Sequence, residues 1–155
     1  MSLLKPKNNC RICIRLNNYL QVQQKKFPEW HNKPVLGIGS LKSNFLIVGL
    51  APGLKGANKT GITFKGDFSG ELILKTLRKH HFLKERESFN DKMNFRITNA
   101  IKCLPPDNKP KVSEIKNCQK FLKSEITNMK NLKIILSLGL VAHQSLLKIF
   151  KKKND

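Results

Sequence analysis

Four cysteines, Cys10, Cys13, Cys103 and Cys118, are the side chains here best suited to hold a metal or carry redox chemistry. Lys5 and Lys7 are followed by no apolar run, so the start does not read as a secretory signal, and metal or redox use outweighs a disulfide framework. Cys10-Arg11-Ile12-Cys13 has the gap of a redox dithiol, but such pairs normally open a helix just after a strand. An all-thiolate zinc site and an iron–sulfur cluster are both open. Cys103-x14-Cys118 is wider than the second pair of a compact zinc knuckle, which leans toward a cluster. Cys103 also follows a strand-like run and fits as a plain core cysteine.

A second group of residues lies in and beyond a glycine-rich loop. Gly53, Gly56, Gly61 and Gly66 free that loop to approach a ligand closely, and Asp67 is its one acid. The spacing Gly-Leu-Ala-Pro-Gly-Leu-Lys-Gly is not that of a dinucleotide fingerprint, and no Gly-Lys-Ser/Thr follows, so a nucleotide phosphate site is poorly supported.

These residues need elements to position them. Residues 44–50 form a continuous apolar run, the pattern of a buried parallel strand. Phe68 to Phe82 carries apolar side chains at helical spacing, with Ser69 or Asp67 as its cap. Phe95 to Ile101 reads as a second strand, Val112 to Met129 as an amphipathic helix, Lys133 to Leu138 as a third strand, and a last helix runs through Val141 and Ile149. Residues 19–43 read as loop. Strand and helix in alternation predict an open parallel α/β sheet. Its ligand cleft should lie at the strands' carboxyl ends, among residues 51–67, 99–108 and 139–143.

The chain has 155 residues, 39% of them hydrophobic, enough for one modest core. No apolar stretch is long enough to cross a membrane as a helix. Thirty Lys plus Arg against 10 Asp plus Glu give a net charge of +20, carried mostly by 25 dispersed lysines. That field favours polyanions, nucleic acid above all. One Trp and one Tyr do not suggest an aromatic single-strand-binding sheet.

Two long blocks carry a resemblance. One is Gly49-Leu50-Ala51-Pro52-Gly53 with Gly56-Ala57-Asn58-Lys59-Thr60-Gly61 and Phe64-Lys65-Gly66-Asp67-Phe68-Ser69-Gly70. The other is Asn99-Ala100-Ile101-Lys102-Cys103-Leu104-Pro105-Pro106-Asp107-Asn108-Lys109-Pro110, continued by Glu114 and Cys118. With the lead-in Trp30 to Val35, Gly37-Ile38-Gly39 and the strand end Leu138-Gly139-Leu140-Val141-Ala142, they resemble the uracil-DNA glycosylase superfamily, and within it the bacterial and archaeal iron–sulfur branch called type 5.

The resemblance implies a three-layer open parallel α/β sheet of uracil-DNA glycosylase type, as one domain over residues 1–155. It implies a structural [4Fe–4S] cluster on Cys10, Cys13, Cys103 and Cys118. Phe64 would stack on a flipped uracil, where its alternative is a core position. Asn99 would read the uracil edge, with a turn cap as its alternative. Asp67 would orient water or stabilise the sugar cation, with helix capping as an alternative that can coexist. The backbone of Gly49, Ala51, Pro52 and Gly53 would receive charge on the leaving base. Asn58, Lys59 and Thr60 would lie at the DNA backbone, and Pro105 and Pro106 beside the lesion strand.

No lysine stands out as a Schiff-base nucleophile, so the implied enzyme is monofunctional and leaves an abasic site, with hypoxanthine and other deaminated bases as further substrates. The partners implied are double-stranded and single-stranded DNA, met by a monomer in a prokaryotic cytoplasm, at the nucleoid. The family carries a further H-x-S motif near its C-terminus. Phe150 to Asp155 closes this sequence before any such motif, and His143 lies in the preceding helix. The expectation is a C-terminally incomplete member, whose non-enzymatic alternative is an inactive, DNA-binding iron–sulfur remnant.

Overall fold

Phe45-Leu46-Ile47-Val48 offers no polar side chain to water, so a strand built from it must be covered on both faces. A computed structural model describes residues 2–151 and places this run, as β2 (Phe45–Gly49), inside a four-stranded sheet. The other strands are β1 (Ile38–Gly39), β3 (Arg96–Asn99) and β4 (Ile134–Ser137), in the order β1-β3-β2-β4. β2 runs parallel to β3, with Gly49 opposite Asn99, and parallel to β4, with Val48 opposite Ser137. The expected parallel sheet is therefore present, and its three parallel strands end together.

One edge departs from that pattern. β1 pairs antiparallel with β3, Ile38 opposite Ile97. Gly39 adopts φ +99°, and a Cβ there would overlap the Phe95 carbonyl, so only glycine lets the two strands meet. At the other edge β4 pairs, among the described residues, with β2 alone, and Ile134 (62% exposed) and Leu136 are exposed there.

The helices are α1 (Ile14–Lys26), the single turn α2 (Ala57–Thr60), α3 (Phe68–Lys79), α4 (Val112–Asn128) and α5 (Leu140–Lys151). Strand side chains alternate between faces, and two cores follow from that. Leu46 and Val48 pack with Leu122 and Ile126 of α4 and Ala142, Leu146 and Ile149 of α5. Ile47 and Ile97 pack on the opposite face with Leu77 of α3, Leu83, Phe89 and Met93. A third cluster joins Leu16 and Leu20 to Ile101, Leu104 and Phe121. It corrects the loop reading of residues 19–43: α1 covers the first part and β1 the last. Among the described residues no helix is long and apolar enough to cross a membrane.

One polar group lies within this packing. Glu125 on α4 accepts from Arg96 Nε at 2.9 Å, from Lys102 Nζ at 2.6 Å and from Thr98 Oγ1 at 3.1 Å. The Arg96 guanidinium reaches on to the carbonyls of Gly39 and Gly37, so one carboxylate ties α4 to β3 and to both sides of β1. A similar pair at the rim joins Glu114 to Arg15 at 2.7 Å. Burial by itself would raise the Glu125 carboxyl, but the charges of Lys102 and Arg96 outweigh it and hold the group below its ordinary value of 4.5. Glu114 is lowered too: burial opposes the shift, and the hydrogen bonds from Arg15 and from the Lys111 N–H prevail.

A carboxyl lowered on folding adds stability above its unfolded value and loses it as pH falls through its folded value. Acid titration should therefore lower the melting temperature below about pH 4.5, and Glu125→Gln should flatten that slope. Glu125→Ala, which leaves two buried cations uncompensated, should cost about 3–5 kcal/mol in denaturant unfolding. A loss under 1 kcal/mol would show that the pair behaves as if exposed to water.

Candidate functional site

Where β2, β3 and β4 end, the chain opens into a cavity of about 300 Å³. This is the predicted carboxyl-end cleft, at the small end of ligand cavities. Gly49, Ala51, Gly53, Phe64, Asp67 and Asn99 all line it, so the structure gathers six of the seven residues expected to bind the base or act on it. Pro52 is buried behind the wall.

Phe64 reaches the cavity by an uncommon backbone. Its φ is +60°, a left-handed conformation in which a bulky side chain is strained by about 1–3 kcal/mol. Two glycines make that conformation possible. A Cβ on Gly49 would overlap the tip of the Phe64 ring, and a Cβ on Gly70 would overlap the Phe64 carbonyl. The ring therefore lies directly on the last residue of β2. It is half-buried and lines the cavity while touching the α3-side core, so its core position and its place in the wall coexist.

Asn99 closes β3 and is 2% exposed. Its Oδ1 is buried and has no hydrogen-bond partner, and it lies 2.7 Å from where a Gly49 Cβ would stand. Buried amide oxygens are almost always paired, so a lone acceptor in a cavity wall marks a place for a donor from a ligand.

Asp67 does cap α3: Gly70 N–H donates to its Oδ1 at 2.8 Å. Its Oδ2 points the other way, against Gly53 and Gly56, where a Cβ on either residue would press on it. One oxygen is structural and the second faces the cavity loop. Among the described residues no protein acceptor takes the N–H of Ala51 or Gly53, so these donors also are open to a ligand.

The remaining expected contacts divide. Lys59 is exposed, with Nζ 5.4 Å from the Trp30 ring centre. Thr60 is exposed, but its hydroxyl sits among the Gly56, Ile62 and Lys65 carbonyls and fastens the loop. Asn58, expected at the DNA backbone, is corrected by its burial. It is fully inside and donates from Nδ2 to Asn32 Oδ1 at 2.8 Å, because the single turn α2 sends residue 58 inward and residues 59 and 60 outward. Pro105 is also buried, while Pro106 is half-buried and opens a 3₁₀ turn at Pro106–Asn108.

Sequence reading missed several lining residues. Asn108, at φ +56°, and Leu138 complete the wall, and Phe68 (80% exposed) and Leu72 form an apolar rim. Asn108 lies in the same motif block as Asn99 and closes the predicted cleft segment 99–108, which was the available signal.

The four cysteines meet elsewhere. All line one small apolar pocket with Leu16, Phe121 and Asn117, and none is in a disulfide. Lys102 N–H donates to Cys118 Sγ at 3.3 Å, and Asn117 Nδ2 donates to Cys13 Sγ at 3.6 Å. Burial pushes the Cys118 thiol up to about 11 and Cys103 higher, with the neighbouring cysteines adding to both shifts. Among the described residues no three Cys, His, Asp or Glu side chains are gathered as ligands of a single metal ion.

The comparisons agree with this geometry. The sequence model of the Uracil DNA glycosylase superfamily matches residues 36–154. The chain is 32% identical over 151 residues to the type-5 uracil-DNA glycosylase of Thermus thermophilus, covering 91% of this chain and 68% of that protein. It is 31% identical over 151 residues to that of Pyrobaculum aerophilum, covering 91% and 66%. A type-4 uracil-DNA glycosylase of Saccharolobus solfataricus is 30% identical over 133 residues, covering 85% and 56%. The chain thus spans about two thirds of the length of its type-5 relatives. With the strand-end cavity and the matched blocks in one place, this chain belongs to the uracil-DNA glycosylase superfamily.

Proposed function

We propose that this chain carries the base-binding site of a uracil-DNA glycosylase, which hydrolyses the N-glycosidic bond of uracil in DNA and leaves an abasic site. The unpartnered Oδ1 of Asn99 carries the reading. Leaving a buried acceptor unpaired costs about 1–3 kcal/mol. Uracil repays that with the N–H between its two carbonyls, while the Asn99 amide N–H₂ can donate to one of them. Phe64, whose ring tip rests against Gly49, replaces the stacking that the base loses on leaving the duplex.

The chemistry follows from the other walls. As the C1′–N1 bond breaks, its electron pair goes to the base, and the Ala51 and Gly53 N–H groups in the cavity wall would receive the charge on O2. Water adds to C1′, and the proton it gives up ends on the departing uracil anion by way of solvent. Asp67 Oδ2, free of the cap, is the carboxylate oxygen available to orient that water and to stabilise positive charge on the sugar. Among the described residues the cavity lining includes no lysine, which supports hydrolysis without strand cleavage. The lining also has no side chain that would exclude a purine by charge, so hypoxanthine and other deaminated bases are included in the proposal. The +20 charge and exposed Lys59 suit the DNA backbone.

The donor chemistry of the cysteine pocket fits a [4Fe–4S] cluster. Four sulfurs and two N–H donors surround it, and burial disfavours free thiolates, which a cationic cluster core would stabilise. When bound, the cluster would cross-link residues 10–13 to the segment after β3, through Cys103, and to α4, through Cys118.

Two results would test this. A uracil-containing duplex incubated with the chain should break only after alkali. Asp67→Asn should keep the cap, and so the stability, but lower the rate on the order of 10²–10⁴-fold, whereas Asp67→Ala should also cost about 1 kcal/mol of stability. No scission with the wild-type chain would support the inactive, DNA-binding reading. Protein purified without oxygen should be brown and contain iron and sulfide, and Cys103→Ser should bleach it. A colourless zinc protein would defeat the cluster.

A further inference from the structure

We propose that Lys102, clamped by Glu125, is the positioning residue for Asn99, and through it for recognition of the base. The inference rests on the reading of Asn99 as the base-reading amide.

Lys102 is 1% exposed and lies outside the cavity, so it is neither a DNA contact nor a nucleophile. Its Nζ donates to three acceptors: Glu125 Oε1 at 2.6 Å, Thr98 Oγ1 at 2.6 Å and the Asn99 carbonyl at 2.9 Å. That set uses all three protons of an ammonium. The Asn99 carbonyl is the last of β3, where the strand gives way to the loop. Lys102 closes that turn from three residues on, with a side chain doing what a backbone N–H does in an ordinary turn.

The surrounding segment is tied down by other means. Ala100 N–H donates to Gly49 O, Ile101 N–H to Leu50 O, and Val35 N–H to Lys102 O. Of these, the Ala100 N–H shares its peptide plane with the Asn99 carbonyl and holds that plane from the β2 side, while the carbonyl oxygen on the other side is held by Lys102. The Asn99 Oδ1 has no protein partner to hold it. Its aim is therefore set by its own main chain, and the Lys102 ammonium is the side-chain contact that fixes that carbonyl. Glu125 keeps the ammonium in place and is itself held by Arg96. Without the ammonium, the Asn99 carbonyl and Glu125 both lose a donor inside the protein. The Asn99–Ala100 peptide is then held on its N–H side alone, and the aim of the amide loosens.

The test is a double-mutant cycle on anaerobically purified protein. Lys102→Met and Glu125→Gln are each made alone and with Asn99→Ala. The readouts are kcat/KM for uracil release from a uracil-containing duplex, and the Asn99 side-chain amide resonances, assigned by their loss in Asn99→Ala. Each single variant should lower kcat/KM by about tenfold or more, and should change it by less than about twofold once Asn99 is alanine. Each should also move the Asn99 amide resonances. Equal losses with and without Asn99, or unmoved resonances in a folded variant, would overturn the proposal. If Lys102→Met does not fold, Glu125→Gln, which keeps the shape and an acceptor oxygen, decides alone. If the wild-type chain releases no uracil, the glycosylase reading fails, and the resonances alone judge the positioning role.

Discussion

Everything at the strand ends depends on a carboxylate buried between two cations. Glu125 sits under the sheet between Arg96 and Lys102, and each of the three is tolerable inside only because the other two are there. A hydrophobic trio could fill the same space with no loss of stability in principle. It could not reach in three directions. Arg96 extends to the carbonyls of Gly37 and Gly39, which attach the antiparallel edge, and Lys102 extends to the end of β3. Gly37 leaves the room this needs, since a Cβ there would stand 2.5 Å from Glu125 Oε2. The polar centre thus sets the relative placement of one helix, one strand end and one sheet edge.

The cavity is built on close approach rather than on size. Gly49 lets an aromatic ring lie on the backbone of β2, and Gly70 lets α3 begin tight against the residue that carries that ring. Phe64 is left in a left-handed conformation that its surroundings enforce. Asp67 begins α3 three residues later with one oxygen and offers the other to the loop. Helix start, ring position and free carboxylate oxygen are consequences of one short segment, residues 64–70.

Much of this was legible beforehand, and the reasons are specific. The apolar run of β2 and the helical spacing of α3, α4 and α5 announced themselves, because burial on two faces or one leaves a periodic trace. α1 did not. Its stretch Leu-Asn-Asn-Tyr-Leu-Gln-Val-Gln-Gln is mostly polar, and its buried stripe of Leu16, Leu20 and Gln23 is too thin to stand out. β1 is two residues long and is held by Arg96 and Gly39, neither of which looks like a strand former. The cavity's motif residues were found through their blocks, but Asn58 was assigned outward because the sequence cannot show which way a single helical turn faces. Lys102 was hidden among 25 lysines, although its place between Ile101 and Cys103 marks it as unlike the others.

The outer edge of β4 has a bearing on the charge. A strand with one side unpaired is a template for adding another strand, and Ile134 and Leu136 make this one sticky. Lys130 and Lys133 stand at its entrance, and they belong to a chain whose positive charges outnumber its negative ones threefold. Two such molecules repel before their edges can align. The lysines suited to a phosphate backbone therefore also act as gatekeepers against fibre-like self-pairing, a protection that weakens as ions shorten the reach of the field.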